Sequence, residues 1–318
     1  NSANNFAAVV VADAENVELR DINAIQLGAA GTGGVNVDAN LEVTAGGAIS
    51  DGDALVIGGL TTLTTSVLAD ITLDAPNAFA DAVSVVSAYN VTIATQDSAL
   101  ILGGSTVSGA LTVNISGDAT NTLTQSAPIS VAGTTTLAVG SAGTEANVTL
   151  DNAANDFGTL VIVRGKNVFL VDTDDVDLGT TTIVGALAVT ANGSITDSGV
   201  LTVAGATTLE ADADGNSAGD VALDSVSSFT GAISVQGGVN VAVFNGVATI
   251  LGDMYATGNL TITGGGNLTN DLGGGSYGVL SVVGNATLDI GTHDMSLNQA
   301  GWSYGSLTLI CGTLIPLP

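Results

Sequence analysis

Five stretches of the chain repeat one phrase: "SANNFAAVVV" from residue 2, "APNAFADAVSV" from 75, "NAANDFGTLVIV" from 152, "SVSSFTGAISV" from 225 and "NQAGWSYGSLTLI" from 298. Their aromatic residues Phe6, Phe79, Phe157, Phe229 and Trp302 stand 73, 78, 72 and 73 residues apart. A second phrase begins ten or eleven residues later, at Asn16, Asn90, Asn167 and Asn240, and the units close on "DITLDA", "NVTLDN", "DVALDS" and "DMSLNQ". Independent markers that keep one period are not a product of composition, and a recurring unit is the mark of a solenoid, a propeller or an array. The repeats run approximately over 2–74, 75–151, 152–224 and 225–297, with a partial fifth at 298–318. Length alone would suggest two domains, but the uniform repeat predicts one continuous body over 1–318.

Within a repeat the apolar residues alternate, as in Leu160 and Ile162, Val168 and Leu170, Leu187 and Val189, and Leu201 and Val203. That is strand periodicity, punctuated by Gly, Asn and Asp. No stretch sustains a helical period, and 25 of the 30 acidic residues are Asp, which favours turns, rather than the helix former Glu. Strands starting at Val148, Val168 and Leu187 fall near 20 residues apart, which suits one turn of a parallel β-helix. A propeller would need two-residue hairpin turns of the Asn-Gly kind, and these are sparse. The predicted fold is therefore all-β: a parallel β-helix, or β-solenoid, with about four coils per 73-residue repeat. About 16 such coils, stacked ~4.8 Å apart, would form a rod on the order of 75 Å long. Aromatic residues are only 3% of the chain, as a narrow interior requires. The shared phrase reads as a corner turned by Asp and Asn, whose aromatic either plugs a wider part of the interior or shields one face.

Charge removes several function classes. Lys and Arg total 3 against 30 Asp and Glu, a net charge of −27, with Arg20, Arg164 and Lys166 the only cations. Such a chain cannot neutralise a run of phosphates, so nucleic acid and anionic membranes are excluded as partners. Cys311 is the single cysteine, so the fold holds without an intrachain disulfide. No apolar run is long enough to span a bilayer, and membrane insertion is not expected. The opening "NSANNF" reads as a mature or excised piece, and little Cys and Lys with abundant Thr, Asn and Gly suits a bacterial extracellular protein.

Three kinds of chemistry compete with a plain structural role. A catalytic role for the lone His293, in "GTHDMSL", ranks below a turn position that Gly219 or Ala146 fills elsewhere. Asp172, Asp174, Asp175 and Asp177 in "VDTDDVDLG" supply paired carboxylates, but a glycosidase pair needs a cleft and one raised pKa, and solvated turn residues are the better reading. Calcium is the other use of such groups: "DADGNSAGD" offers Asp212, Asp214, Asn216 and Asp220, hard oxygens in a glycine-containing loop. It lacks the bidentate Glu of an EF-hand, so no metal or cofactor is assigned and calcium stays the one candidate. The Thr-rich strands "TTLTT", "TTTL", "TTTIV" and "ATTL" would bind ice only as a regular outward ladder, and they recur once per repeat rather than once per coil. No catalytic, cofactor or metal residue is therefore expected, and the chain reads as non-enzymatic.

"NVTLDNAANDF" and "LAVTANGSITDSGVLTVAGATTLEAD", with their degenerate copies, resemble the repetitive β-solenoid arrays of filamentous haemagglutinin-type exoproteins, large bacterial surface adhesins. The resemblance implies a right-handed solenoid at the cell surface or in a biofilm matrix, serving as shaft or adhesive stalk with a glycan or protein receptor. The chain shows no recognisable amino-terminal secretion domain. Copies are expected to meet end to end as a filament, or the chain to continue a longer array. The apolar end "LTLICGTLIPLP" is expected to leave the coil and dock elsewhere. The alternatives are a carbohydrate-active β-helix enzyme and an ice- or calcium-binding solenoid.

Overall fold

The computed structural model describes residues 4–66, 68–216 and 219–316. Every regular element among them is a strand, and no described residue is helical. The chain forms two compact units, residues 1–166 and 167–318, and each is a parallel β-solenoid. In the first unit one inward position climbs the coils as Ile25, Ile49, Ile71, Val91, Leu111, Thr135 and Leu160. In the second it climbs as Val176, Ile195, Val221, Val241, Leu260, Ala286 and Leu307. With the leading strand Ala8–Val9, which pairs with Ile25–Leu27, this gives about fifteen turns and bears out the all-β parallel solenoid.

Alternation does the sorting. In Leu41–Ala45 the first, third and fifth side chains are buried, and the same rhythm runs through Val91–Gln96 and Leu187–Ala191. Successive residues of a strand point to opposite faces, so each apolar residue lands on its equivalent in the coil before. Burying one Leu, Ile or Val side chain contributes about 1.5–3 kcal/mol, and in these columns the gain recurs at every level. Coil length is elastic because the surplus is expelled at the corners. Val241 to Leu260 takes 19 residues and Leu260 to Ala286 takes 26, the difference lying in a small antiparallel hairpin of Asp271–Gly273 with Ser276–Tyr277.

Repeat and coil do not keep step. Thr61 shares a column with Leu41 and Val83, whereas its counterpart one repeat later, Thr135, stands between Leu111 and Leu160 on the other long sheet. In the second unit Thr207 stands between Leu187 and Ile233, and its counterpart Ala286 between Leu260 and Leu307. A repeat therefore advances about three and a half coils, near the expected four, and each unit shows successive repeats on alternate sheets. Thr61, Thr135 and Thr207 point inward, fully buried, and their hydroxyl oxygens have no hydrogen-bond partner.

The shared phrase is a sealed corner. Phe79, Phe157 and Phe229 are 4%, 1% and 0% exposed and align with Ile57, Val131 and Val203 of the coil before. Of the two expected roles for the aromatic, these three fill the interior. Two residues ahead of each, the buried Asn77, Asn155 and Ser227 accept the backbone N–H of Leu55, Ile129 and Leu201 at 2.7, 3.0 and 2.9 Å. One coil earlier, the equivalent positions Asp51, Gln125, Asp197 and Asn270 accept the N–H groups of the turn itself: Asp74 and Ala75, Asn152, Asp224 and Ser225, and Asn298. These acceptors satisfy turn donors that lie outside the strand ladder and tie the turn to the coil before. Phe6 is 37% exposed and Trp302 is half-buried, its Nε1–H donating to Gly278 O at 3.1 Å.

The second phrase supplies an outer ladder. Asp220 accepts Asn240 N, Asn240 accepts Asn259 N and Asn259 accepts Asn285 N, at 2.8, 3.1 and 2.9 Å. Each such side chain ties the start of its strand to the start of the next. The carboxyl-terminal stretch does not leave the coil as expected: Ser306–Ile310 and Thr313–Pro316 pair in parallel with Asn285–Asp289 and Asp294–Leu297. Its alternating Leu residues continue the ladder, which outweighs the local prolines; residues 317–318 lie outside the described residues.

Two measurements check this packing. Phe157→Ala should cost about 3–5 kcal/mol in urea denaturation, whereas Phe6→Ala should cost less than about 1 kcal/mol. Thr207→Val keeps the shape and removes a stranded hydroxyl, so it should leave stability unchanged or raise it by up to about 1 kcal/mol.

Candidate functional site

A polar recess of the first unit is built from one outward column of its long sheet. Register places Ala94 beside Asn114, Asn114 beside Ala138 and Ala138 beside Arg164, one residue per coil. Because the two alanines are small, the column is a trough rather than a ridge. Its volume is about 230 Å³, with Gln96 and Ser116 along its side. At one end stands the corner Asp74–Ala75–Pro76, and at the other Arg164. With ~4.8 Å between coils, the trough is long and narrow, running across the strands.

Each end is held by the fold. Arg164 closes the strand Asp156–Arg164 and its Nε–H donates to Gly140 O at 2.8 Å, which anchors the guanidinium at that end. The two ion pairs among the described residues both belong to Arg20, with Glu18 and Glu42, so Arg164 carries its charge without a carboxylate within 4 Å. At the far end, Asp51 holds the overhanging corner by accepting Asp74 N at 3.0 Å, Ala75 N at 3.2 Å and Asn77 Nδ2 at 2.7 Å. Burial nonetheless pushes the Asp51 carboxyl above its ordinary range, and burial does the same to its counterpart Asp197.

The second unit has the counterpart recess under its own corner, at Leu223 and Asp224, but its column reads Phe244, Thr263, Asp289 and Ile310. A phenylalanine stands where Ala94 does, and the recess shrinks to about 150 Å³. Unlike the first trough it carries neither an amide nor a cation in that column.

The residues weighed in the sequence are scattered. His293 is exposed, in a turn where its N–H donates to Ile290 O. Asp174 and Asp175 are exposed as expected of turn residues, with Asp175 accepting Ser194 N. Asp172 departs from that expectation: it is 2% exposed and accepts Asp174 N, because it ends a strand on an inward position. Asp177 accepts the Ser198 hydroxyl at 2.6 Å. The calcium quartet is divided: Asp214 receives Asn216, while Asp220 turns to Asn240, and Ser217 and Ala218 lie outside the described residues. No three His, Cys, Asp or Glu among the described residues gather around a common ion position. The Thr-rich strands recur once per repeat, but a different outward column, Ser50, Thr72, Thr92, Thr112 and Thr136, aligns once per coil in the first unit. Beside it run Asp74, Ala94, Asn114 and Ala138, an uneven neighbour for a flat lattice.

Because the Asp197 pKa is raised on folding, its side chain contributes stability that is full below about pH 4, where both states are protonated, and lost as pH rises through the raised value. Its Oδ2 is buried without a partner while Oδ1 accepts both backbone donors. Asp197→Asn keeps the acceptor and removes the charge, so melting temperatures should rise above wild type over ~pH 5–7.5 and coincide with it near ~pH 3.5. In Asp51 both oxygens are in use, and Asp51→Asn should lower the melting temperature at neutral pH.

No curated protein and no solved structure matches the chain. The family model described as Repeats of unknown function (DUF5649) matches four times, over residues 14–86, 88–164, 165–236 and 238–308. Those four segments keep the period marked by the aromatic corners and cover most of the sequence: the chain belongs to the family of Repeats of unknown function (DUF5649).

Proposed function

We propose that this chain is a non-enzymatic, extracellular structural and adhesive solenoid, the shaft or filament-forming segment of a bacterial surface or matrix assembly. The observation that carries the reading is the coil-on-coil register: each coil pairs with its neighbours alone, and the same columns recur through each unit. Such a stack extends by adding coils, and its outer positions serve as attachment points along the way. A net charge of −27 keeps like surfaces apart and favours solubility outside the cell. Glycosidic chemistry would need two carboxylates flanking the bond, and Asp74 is the sole carboxylate among the lining residues of the trough. The filamentous haemagglutinin-type resemblance supports a surface location and a glycan or protein receptor.

Surface labelling of intact producing cells with antibody against the chain should give a peripheral or matrix signal, and a signal only after permeabilisation would overturn the location. For assembly, negative-stain microscopy of purified chain should give threads of constant width. Short particles whose length stays fixed with rising concentration would defeat self-association.

A further inference from the structure

We infer that the trough along Ala94, Asn114, Ala138 and Arg164 is a binding site for a neutral oligosaccharide, the receptor contact of the adhesive reading on which this inference rests. The chemistry follows from the lining. Gln96 and Asn114 each offer a donor and an acceptor, Ser116 offers its hydroxyl oxygen as an acceptor while its hydrogen is donated to Thr95 O, the terminal N–H groups of Arg164 only donate and Asp74 only accepts. Sugar hydroxyls also donate and accept, so a glycan satisfies every group at once. Anionic chains are repelled by the acidic surface, and cationic ones would meet one of only three basic residues in the sequence at one end of the site. The small floor formed by Ala94 and Ala138 leaves depth for a ring to lie against the sheet. A linear oligosaccharide spanning several coils matches a recess that is narrow across and long along the stack.

The second unit supplies the internal comparison. Its column places Phe244 and Thr263 at the positions of Ala94 and Asn114, then Asp289 and Ile310 at those of Ala138 and Arg164. The same fold thus presents a smaller recess there, about 150 Å³ with a phenylalanine in its column, so binding is assigned to the first unit alone.

The test uses the full chain on an array of neutral and sialylated oligosaccharides, followed by titration calorimetry with the strongest neutral hit. Ala94→Phe, which copies the second unit, and Arg164→Ala should each weaken binding at least about tenfold, a loss of about 1.4 kcal/mol. Thr263→Ala should bind as wild type, and thermal melts establish that all variants are folded. An array blank for neutral glycans, a preference for sialylated ones, or equal binding by Ala94→Phe and Arg164→Ala would overturn the assignment. Beads coated with the chain separate the two claims. If they attach to cells while the array is blank, or if the Ala94→Phe beads attach equally well, the trough assignment fails and the adhesive reading stands. If the trough binds glycan but the beads do not attach, the adhesive reading fails instead.

Discussion

Lengthwise hydrogen bonding of one coil to the next is the constraint from which the rest follows. Parallel strands ~4.8 Å apart force each side chain to sit against its equivalent above and below, so a residue is judged by its column rather than by its sequence neighbours. Apolar columns such as Leu73, Ile93, Val113, Leu137 and Ile162 make an interior with room for aliphatic chains and, once per repeat, for one ring. The same spacing rules out any side chain where the backbone turns hard against the coil below. A Cβ on Gly305 would lie 2.8 Å from the carbonyl oxygen of Gly284, which is why glycine marks those corners.

Polar groups inside the solenoid divide by whether they meet a corner. Asn77, Asn155 and Asn245 are wholly buried, and each takes up backbone hydrogen bonds that a turn would otherwise strand. Thr61 and Thr207 open the strands Thr61–Thr64 and Thr207–Glu210, Thr135 lies within Ile129–Ser141, and the hydroxyls of all three have no hydrogen-bond partner. That Ala286 fills the corresponding position in the last repeat fits a site that asks only for a small inward side chain. The clasping position is likewise filled by Asp, Gln, Asp and Asn in turn, which shows that it requires an acceptor oxygen and not a charge.

Much of this was legible in the sequence. Alternating residues such as Leu160 and Ile162 disclosed the strands, and the recurring Phe79, Phe157 and Phe229 disclosed the corners, because both signals are local or strictly periodic. The carboxyl-terminal stretch was less legible, because Pro316 and Pro318 argue locally against a strand whereas the preceding coil accepts its Leu alternation. The trough was invisible for a different reason. Ala94, Asn114, Ala138 and Arg164 are separated by unequal numbers of residues, since each coil discards its own surplus at the corners, and only the register brings them into line. Arg164 stands out in the sequence as one of three cations, but nothing local indicates the column it joins.

The half-coil left over by each repeat has an evolutionary side. Neighbouring copies of a repeat put the same residue on different sheets, so a duplicated segment does not paint an identical stripe down one flank. A substitution that makes one copy sticky is met, on the adjoining copy, by a surface pointing elsewhere. Tandem duplication can thus lengthen such a chain without building the flat, uniform face through which strands from separate molecules would zip together.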